Sequence, residues 1–181
     1  GVAVEVRNPQ TFVRLRASGV KNITLLKNYM LSGASVECAE PVYDIAVAFP
    51  QLSEHNLCSQ DTSKKIQIDL IKCLKSSGLN FVILLHPKMD KEYYLQFLND
   101  YNVQVFDGSS YSGIKLSRGF LSIYSSLTHE AISCGKWAHV YDPLDFDYKM
   151  FECYPKLETS KSIDMLSHAL DVFRRQYVEK C

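Results

Sequence analysis

Two apolar runs in this chain each end in a short polar motif. Asn80 to Leu85 leads into His86-Pro87-Lys88. Gly119 to Ile123 leads into Tyr124-Ser125-Ser126, with Thr128, His129 and Glu130 directly after. An imidazole at a strand tip can donate to a phosphate oxygen or a base. Paired serines that open a helix offer hydroxyls and free backbone N–H groups at the positive end of a helix dipole, a combination that suits phosphate. Glu130 lies four residues beyond Ser126 and shares its helix face, where a carboxylate can accept from ribose hydroxyls. Each motif also has a plainer reading. Pro87 ends a strand because it cannot donate to a ladder. A single serine is a common helix cap, although two serines flanked by Tyr124 and Thr128 exceed what a cap needs. In an open α/β sheet, ligands bind in the crevice at the carboxyl ends of the strands, so both motifs point to a nucleotide or nucleotide-sugar site.

Other polar clusters are weaker signals. Asp107-Gly108-Ser109-Ser110-Tyr111 falls on the same sheet edge and suits a tight turn. Asp142, Asp145 and Asp147 close the last predicted strand and read as a solvated acidic loop rather than a metal site, so no metal is assigned. His139 sits inside a strand and reads as core or edge. The phosphate-binding glycine signatures G-x-x-x-x-G-K-[ST] and G-x-G-x-x-G and the esterase signature G-x-S-x-G do not occur, which argues against the common P-loop, dinucleotide-oxidoreductase and esterase chemistries.

The elements that position these residues follow from periodicity. Strands are expected at Val2 to Val6, Asn22 to Leu26, Tyr43 to Phe49, 80–85, 103–106, 119–124 and 137–141. Helices are expected from Asn8, with Pro9 at its first position, and from Asp61 to Gly78, with Ile66, Leu70, Ile71 and Leu74 on one face. Further helices are expected over about 90–101, 127–134 and 161–179. Residues 107–118 read as a loop with one short turn. Strands alternating with helices at this rhythm predict an α/β, Rossmann-like fold with a mostly parallel sheet and helices on both faces. Residues 1–31 read as the end of a preceding lobe or an appended strand-helix-strand unit, 32–43 as a linker, and 44–181 as a nucleotide-binding domain.

Composition narrows the class. The 181 residues carry 20 basic and 20 acidic side chains and no polybasic run, so no nucleic-acid surface is expected. No apolar stretch approaches a membrane span. Six cysteines are scattered without C-x-x-C pairs and read as reduced thiols of a cytoplasmic protein. The abrupt strand-like start at Gly1 reads as the middle of a longer protein.

The spacing of His86-Pro87 and Ser125-Ser126, the latter followed by a helix, Gly135-Lys136 and a strand, resembles the C-terminal, donor-binding lobe of GT-B glycosyltransferases. The pattern is similar to that of bacterial sialyltransferases and polysialyltransferases that make capsules from CMP-activated sugars. Tyr124-Ser125-Ser126 and Asp145 to Tyr148 are also similar to segments of teichoic-acid polymerases that use CDP-glycerol. The resemblance covers about residues 43–150. It implies transfer of a sugar from a cytidine nucleotide, such as CMP-sialic acid, to a saccharide acceptor in surface polysaccharide synthesis. It places His86, Pro87, Lys88, Tyr124, Ser125, Ser126, Thr128 and Glu130 around the nucleotide. It implies no cofactor besides the donor, a general base on an N-terminal lobe, and peripheral membrane association through that other part of the protein. The acidic motif that supplies this base has no copy here, since Asp107-Gly108 follows His-Pro instead of preceding it. Residues 6–23 are in turn similar to an Arg-Asp…Gly-Val-x-Asn-Val segment of polysaccharide pyruvyltransferases, whose later Arg-Leu-His motif is absent. A pyruvyltransferase, a nucleotide-sugar epimerase and a non-catalytic nucleotide-binding or scaffold domain are the alternatives on the same fold.

Overall fold

The computed structural model describes residues 4–6, 14–25, 40–146, 151, 154 and 157–179. The chain separates into two compact units: Gly1–Cys38 with Phe146–Leu157, and Ala39–Asp145 with Glu158–Cys181. The first break falls inside the 32–43 stretch. Residues 146–157 group with the first unit. In that unit β1 (Val4–Val6) and β2 (Ile23–Leu25) pair in parallel, with Val4 opposite Ile23. Residues 14–17 between them are helical, and Gly19 (φ 82°) supplies the left-handed turn that follows. The expected helix start at Asn8 and Pro9 lies outside the described residues.

The larger unit is a five-stranded, all-parallel sheet with helices around it. Its strands are β3 (Tyr43–Ala48), β4 (Phe81–Leu84), β5 (Ser117–Ser122), β6 (Trp137–Tyr141) and β7 (Glu158–Ser160), in spatial order β4-β3-β5-β6-β7. Beyond β4, Val105 adds a single parallel bridge to Ile83, closed by Ile83 N to Gln104 O and Phe106 N to Ile83 O, both 2.9 Å. Counting that bridge as the third strand position, the order along the sheet is 3-2-1-4-5-6, the doubly wound Rossmann arrangement.

Local sequence explains the helices. α1 (Gln60–Ser76) starts where the Ser59 hydroxyl accepts from Thr62 N at 3.2 Å, two residues before the expected cap at Asp61. It buries Ile66, Leu70, Ile71 and Leu74, and Gly78 (φ 71°) ends it. α2 (Lys91–Asp100) is capped by Asp90, α3 (Ser110–Lys115) by Ser109, and α5 (Ile163–Phe173) by Ser162. α4 (Leu127–Ser133) follows β5. The chain continues past α5 through a π-helical turn over Arg174–Val178. Strand alternation divides the core. Ala46, Ala48, Val82, Leu84 and Phe120 form one face, packed with Ile114 of α3 and Ala131 of α4. The opposite face carries Ile45 and Gly119, which are ladder partners, and looks toward Phe173 of α5. α1 and α5 pack on each other on that side.

Four details differ from the sequence reading. The expected strand 103–106 is reduced to the Val105 bridge. β5 runs two residues earlier than expected, so Ile123 and Tyr124 belong to the turn after it. The predicted loop over 107–118 contains α3. β7 was not anticipated, because Glu158-Thr-Ser160 has no apolar alternation and becomes a strand only by pairing with β6.

Candidate functional site

Because every ladder in the sheet is parallel, the segments after β3, β4, β5, β6 and β7 all leave from one edge. The chain turns one way from β3 to β4 and the other way from β5 to β6. The switch point therefore lies between the ends of β3 and β5, the place where doubly wound sheets form their ligand crevice. Its two lips are the segment from Phe49 to Ser59 and the turn Ile123-Tyr124-Ser125-Ser126. The first lip contains no glycine. Its left-handed residue is Asn56 (φ 55°), so it does not form the tight glycine cradle of dinucleotide sites.

On the second lip the two serines have different duties. Ser125 is half-buried, and its Oγ accepts from Leu127 N at 3.2 Å. Ser126 holds the position before α4 with helical backbone angles (φ −65°, ψ −18°), and its side chain makes no cap bond. Tyr124 is exposed. Thr128 is buried, its hydroxyl 2.8 Å from that of Ser122, so it ties α4 to β5 beneath the crevice. Glu130 is half-buried, and burial raises its pKa above the usual carboxylate value. Neighbouring His129 is buried, and desolvation lowers its pKa. α4 spans only seven residues, so its dipole is weak and the turn's hydroxyls carry more of the polar character.

His86, Pro87 and Lys88 lie after β4, exposed on the same edge. The His86 Nδ1 accepts from Lys88 N at 3.1 Å, which leaves Nε2 as the nitrogen that carries the proton of the neutral tautomer. Met89 closes the turn: its N donates to His86 O at 2.9 Å, and its Sδ accepts from His86 N at 3.3 Å. β3 stands between β4 and β5, so the His86 and Ser125 turns leave strands about 10 Å apart. The fold thus brings both motifs to one edge, on the two flanks of β3.

Sequence reading missed a pocket of about 380 Å³ on the β4 flank. It lies among the segment after β3, α1, the His86–Asp90 turn and the start of α2. Ser63, Lys64, Lys88, Tyr93, Glu54 and Tyr94 line it. Burial, with the hydrogen bond that the Tyr94 hydroxyl donates to Glu54, pushes the phenol pKa upward. Gln67 Nε2 donates to Pro50 O at 3.0 Å and fixes the segment after β3 against α1. The available signal was Ser59 ahead of a long amphipathic run, in a stretch, Pro50 to Gln60, that reads as a plain loop.

The acidic segment after β6 is partly described. Asp142 is buried and its N donates to Ser160 O at 2.8 Å, while Asp145 (φ 53°) pairs with Lys161. Asp147 and Tyr148 lie outside the described residues. Among the described residues, no three His, Cys, Asp or Glu side chains are grouped to hold a metal ion. Asp107 is exposed, 4.0 Å from Lys91 Nζ. Cys58, Cys73 and Cys134 are free thiols, and burial pushes Cys73 up to about 11; Cys38, Cys153 and Cys181 lie outside the described residues. No described helix is long and apolar enough to cross a membrane. Neither a protein-family model nor a curated protein sequence matches the chain.

Proposed function

We propose that the larger unit is the nucleotide-binding lobe of a glycosyltransferase that takes its sugar from a cytidine nucleotide donor for surface polysaccharide synthesis. One observation carries this reading: the Tyr124-Ser125-Ser126 turn forms a lip of the crevice at the switch point of a 3-2-1-4-5-6 sheet. In such a transfer, an acceptor hydroxyl attacks the sugar carbon, the bond from that carbon to the phosphate oxygen breaks, and the nucleotide leaves with the electron pair. The lobe's task is to stabilise the charge that develops on the departing phosphate. The Ser126 hydroxyl, free of capping duty, and the His86 Nε2–H are the donors suited to it. Glu130 is suited to ribose hydroxyls. The base that takes the acceptor's proton is assigned to no residue of this lobe. Sugar transfer and the choice of cytidine rest on the motif resemblance, and the nucleotide site rests on the crevice.

A thermal-shift panel of CMP, CDP, UDP and GDP tests the reading. At 100 times its dissociation constant, a nucleotide adds about 2.7 kcal/mol of stability. CMP or CDP is expected to raise the melting temperature more than UDP or GDP at equal concentration. Equal shifts from all four remove the cytidine assignment, and no shift from any removes the nucleotide site.

A further inference from the structure

We propose a second ligand site in the pocket beside β4, built to take a small phosphate monoester carrying a ring. Several polar groups in the pocket are already engaged. Its two carboxylates serve the protein: Glu54 accepts from the Tyr94 hydroxyl and, at 3.0 Å, from Ser53 Oγ, and Asp90 accepts from Tyr93 N at 3.1 Å as the cap of α2. The groups left over are donors. Ser63 is only 2% exposed, lines the pocket, and its Oγ has no hydrogen-bond partner. A buried hydroxyl without a partner is costly, and native proteins seldom keep one without a use. Lys64 and Lys88 line the same space, and neither is ion-paired to a described residue.

Gln60, Ser63, Lys64 and Gln67 of the seventeen-residue α1 line the pocket, so the N-terminal half of a full-length helix borders it along one side. Asp61, on the same turn, is not among the lining residues. An unspent hydroxyl and two ammonium groups with no ion-pair partner among the described residues suit a ligand with several acceptor oxygens, as a phosphate has. A bare phosphate leaves most of about 380 Å³ empty. Tyr93, 46% exposed and nearly perpendicular to Tyr94 with ring centroids 5.1 Å apart, is an aromatic side chain among the lining residues. The site uses none of Tyr124, Ser125 and Ser126, so it stands whether or not the crevice binds a nucleotide.

Phenyl phosphate is the probe, titrated into the isotope-labelled full chain while backbone amide resonances are followed, with phenol and inorganic phosphate as separate arms. Phenyl phosphate is expected to shift amides of 60–64 and 88–94 with a dissociation constant of about 1 mM or tighter, and to outbind both fragments. Ser63→Ala is expected to weaken binding about tenfold while leaving the melting temperature unchanged or higher, because the lost hydroxyl has no internal partner. Lys64→Gln, an exposed change that spares the fold, is expected to weaken binding and flatten its salt dependence. The inference is overturned if wild type shows no shift at 60–64 by about 10 mM probe, or if both variants bind as wild type does. CMP added to the same sample separates the two sites. Shifts from CMP at His86 and 123–130, with none from phenyl phosphate, leave the nucleotide reading standing and remove this one, and the converse removes only the nucleotide reading.

Discussion

Ser125 and Ser126 are adjacent, yet the turn gives them opposite balances of structural and chemical work. Ser125→Ala removes the acceptor for Leu127 N and is expected to cost about 1 kcal/mol of stability. Ser126→Ala removes no cap bond, so its stability is expected to stay within about 0.5 kcal/mol of wild type. Its CMP affinity is expected to fall about tenfold or more, the loss of one hydrogen bond to a charged oxygen. Urea unfolding without ligand and calorimetry with CMP check the pair; a Ser126→Ala protein that binds CMP as tightly as wild type withdraws that hydroxyl from the site. His139 supplies a pH dependence. It is buried, its Nε2 lies 2.8 Å from Ser160 Oγ, and its ring stacks on Trp137. Desolvation lowers its pKa to about 4, below the ordinary 6.5. The folded state therefore holds the neutral ring. The stabilisation is fully present above about pH 6.5 and is lost as pH falls toward 4, by up to about 3 kcal/mol. Buried His129, also lowered, acts in the same direction. Glu130, raised by burial, acts oppositely, its contribution being present below its ordinary value and lost as pH rises through the raised one. Denaturant midpoints between pH 7 and 4 are expected to fall less for His139→Gln than for wild type, and parallel slopes would refute the assignment.

β5 is the element on which the crevice depends, since it delivers the Tyr124–Ser126 turn. It sits in the middle of the sheet with Gly119 facing α5. A Cβ on Gly119 would lie 2.9 Å from both Phe173 and Trp137 ring carbons, so the close packing of α5 on the sheet requires a residue without one. Gly119→Ala is expected to cost about 1–3 kcal/mol through overpacking, read as a lowered urea midpoint at unchanged slope. A midpoint equal to wild type would show that α5 yields at no cost. Elements differed in how plainly the sequence announced them. β4 was legible because Phe81 to Leu84 is a short apolar run between turn residues, and α1 because Ile66, Leu70, Ile71 and Leu74 fall on one face. β7 was not, since its three polar residues take strand geometry only from the β6 ladder. The Val105 bridge shows the reverse: Val103 to Phe106 has strand composition, but pairing with Ile83 fixes only one position.

At the scale of the molecule, local pattern was enough to give the α/β class and the approximate places of most strands and helices in the larger unit. It did so because apolar periodicity, capping serines and acids, and helix-ending glycines act over a few residues. It also marked His86-Pro87 and Ser125-Ser126 as strand-end motifs. Tertiary structure decided the rest, because those decisions depend on partners distant in the chain. The order 3-2-1-4-5-6 follows from which strand pairs with which, and it alone puts the switch point between β3 and β5 and sets the His86 turn on the other flank of β3. Packing also sent Thr128 down onto Ser122, leaving Ser126 at the surface. The pocket around Ser63 could not be read from local pattern either, since its walls come from four segments spread over Ser53 to Tyr94 and exist only once α1 and α2 dock beside β4.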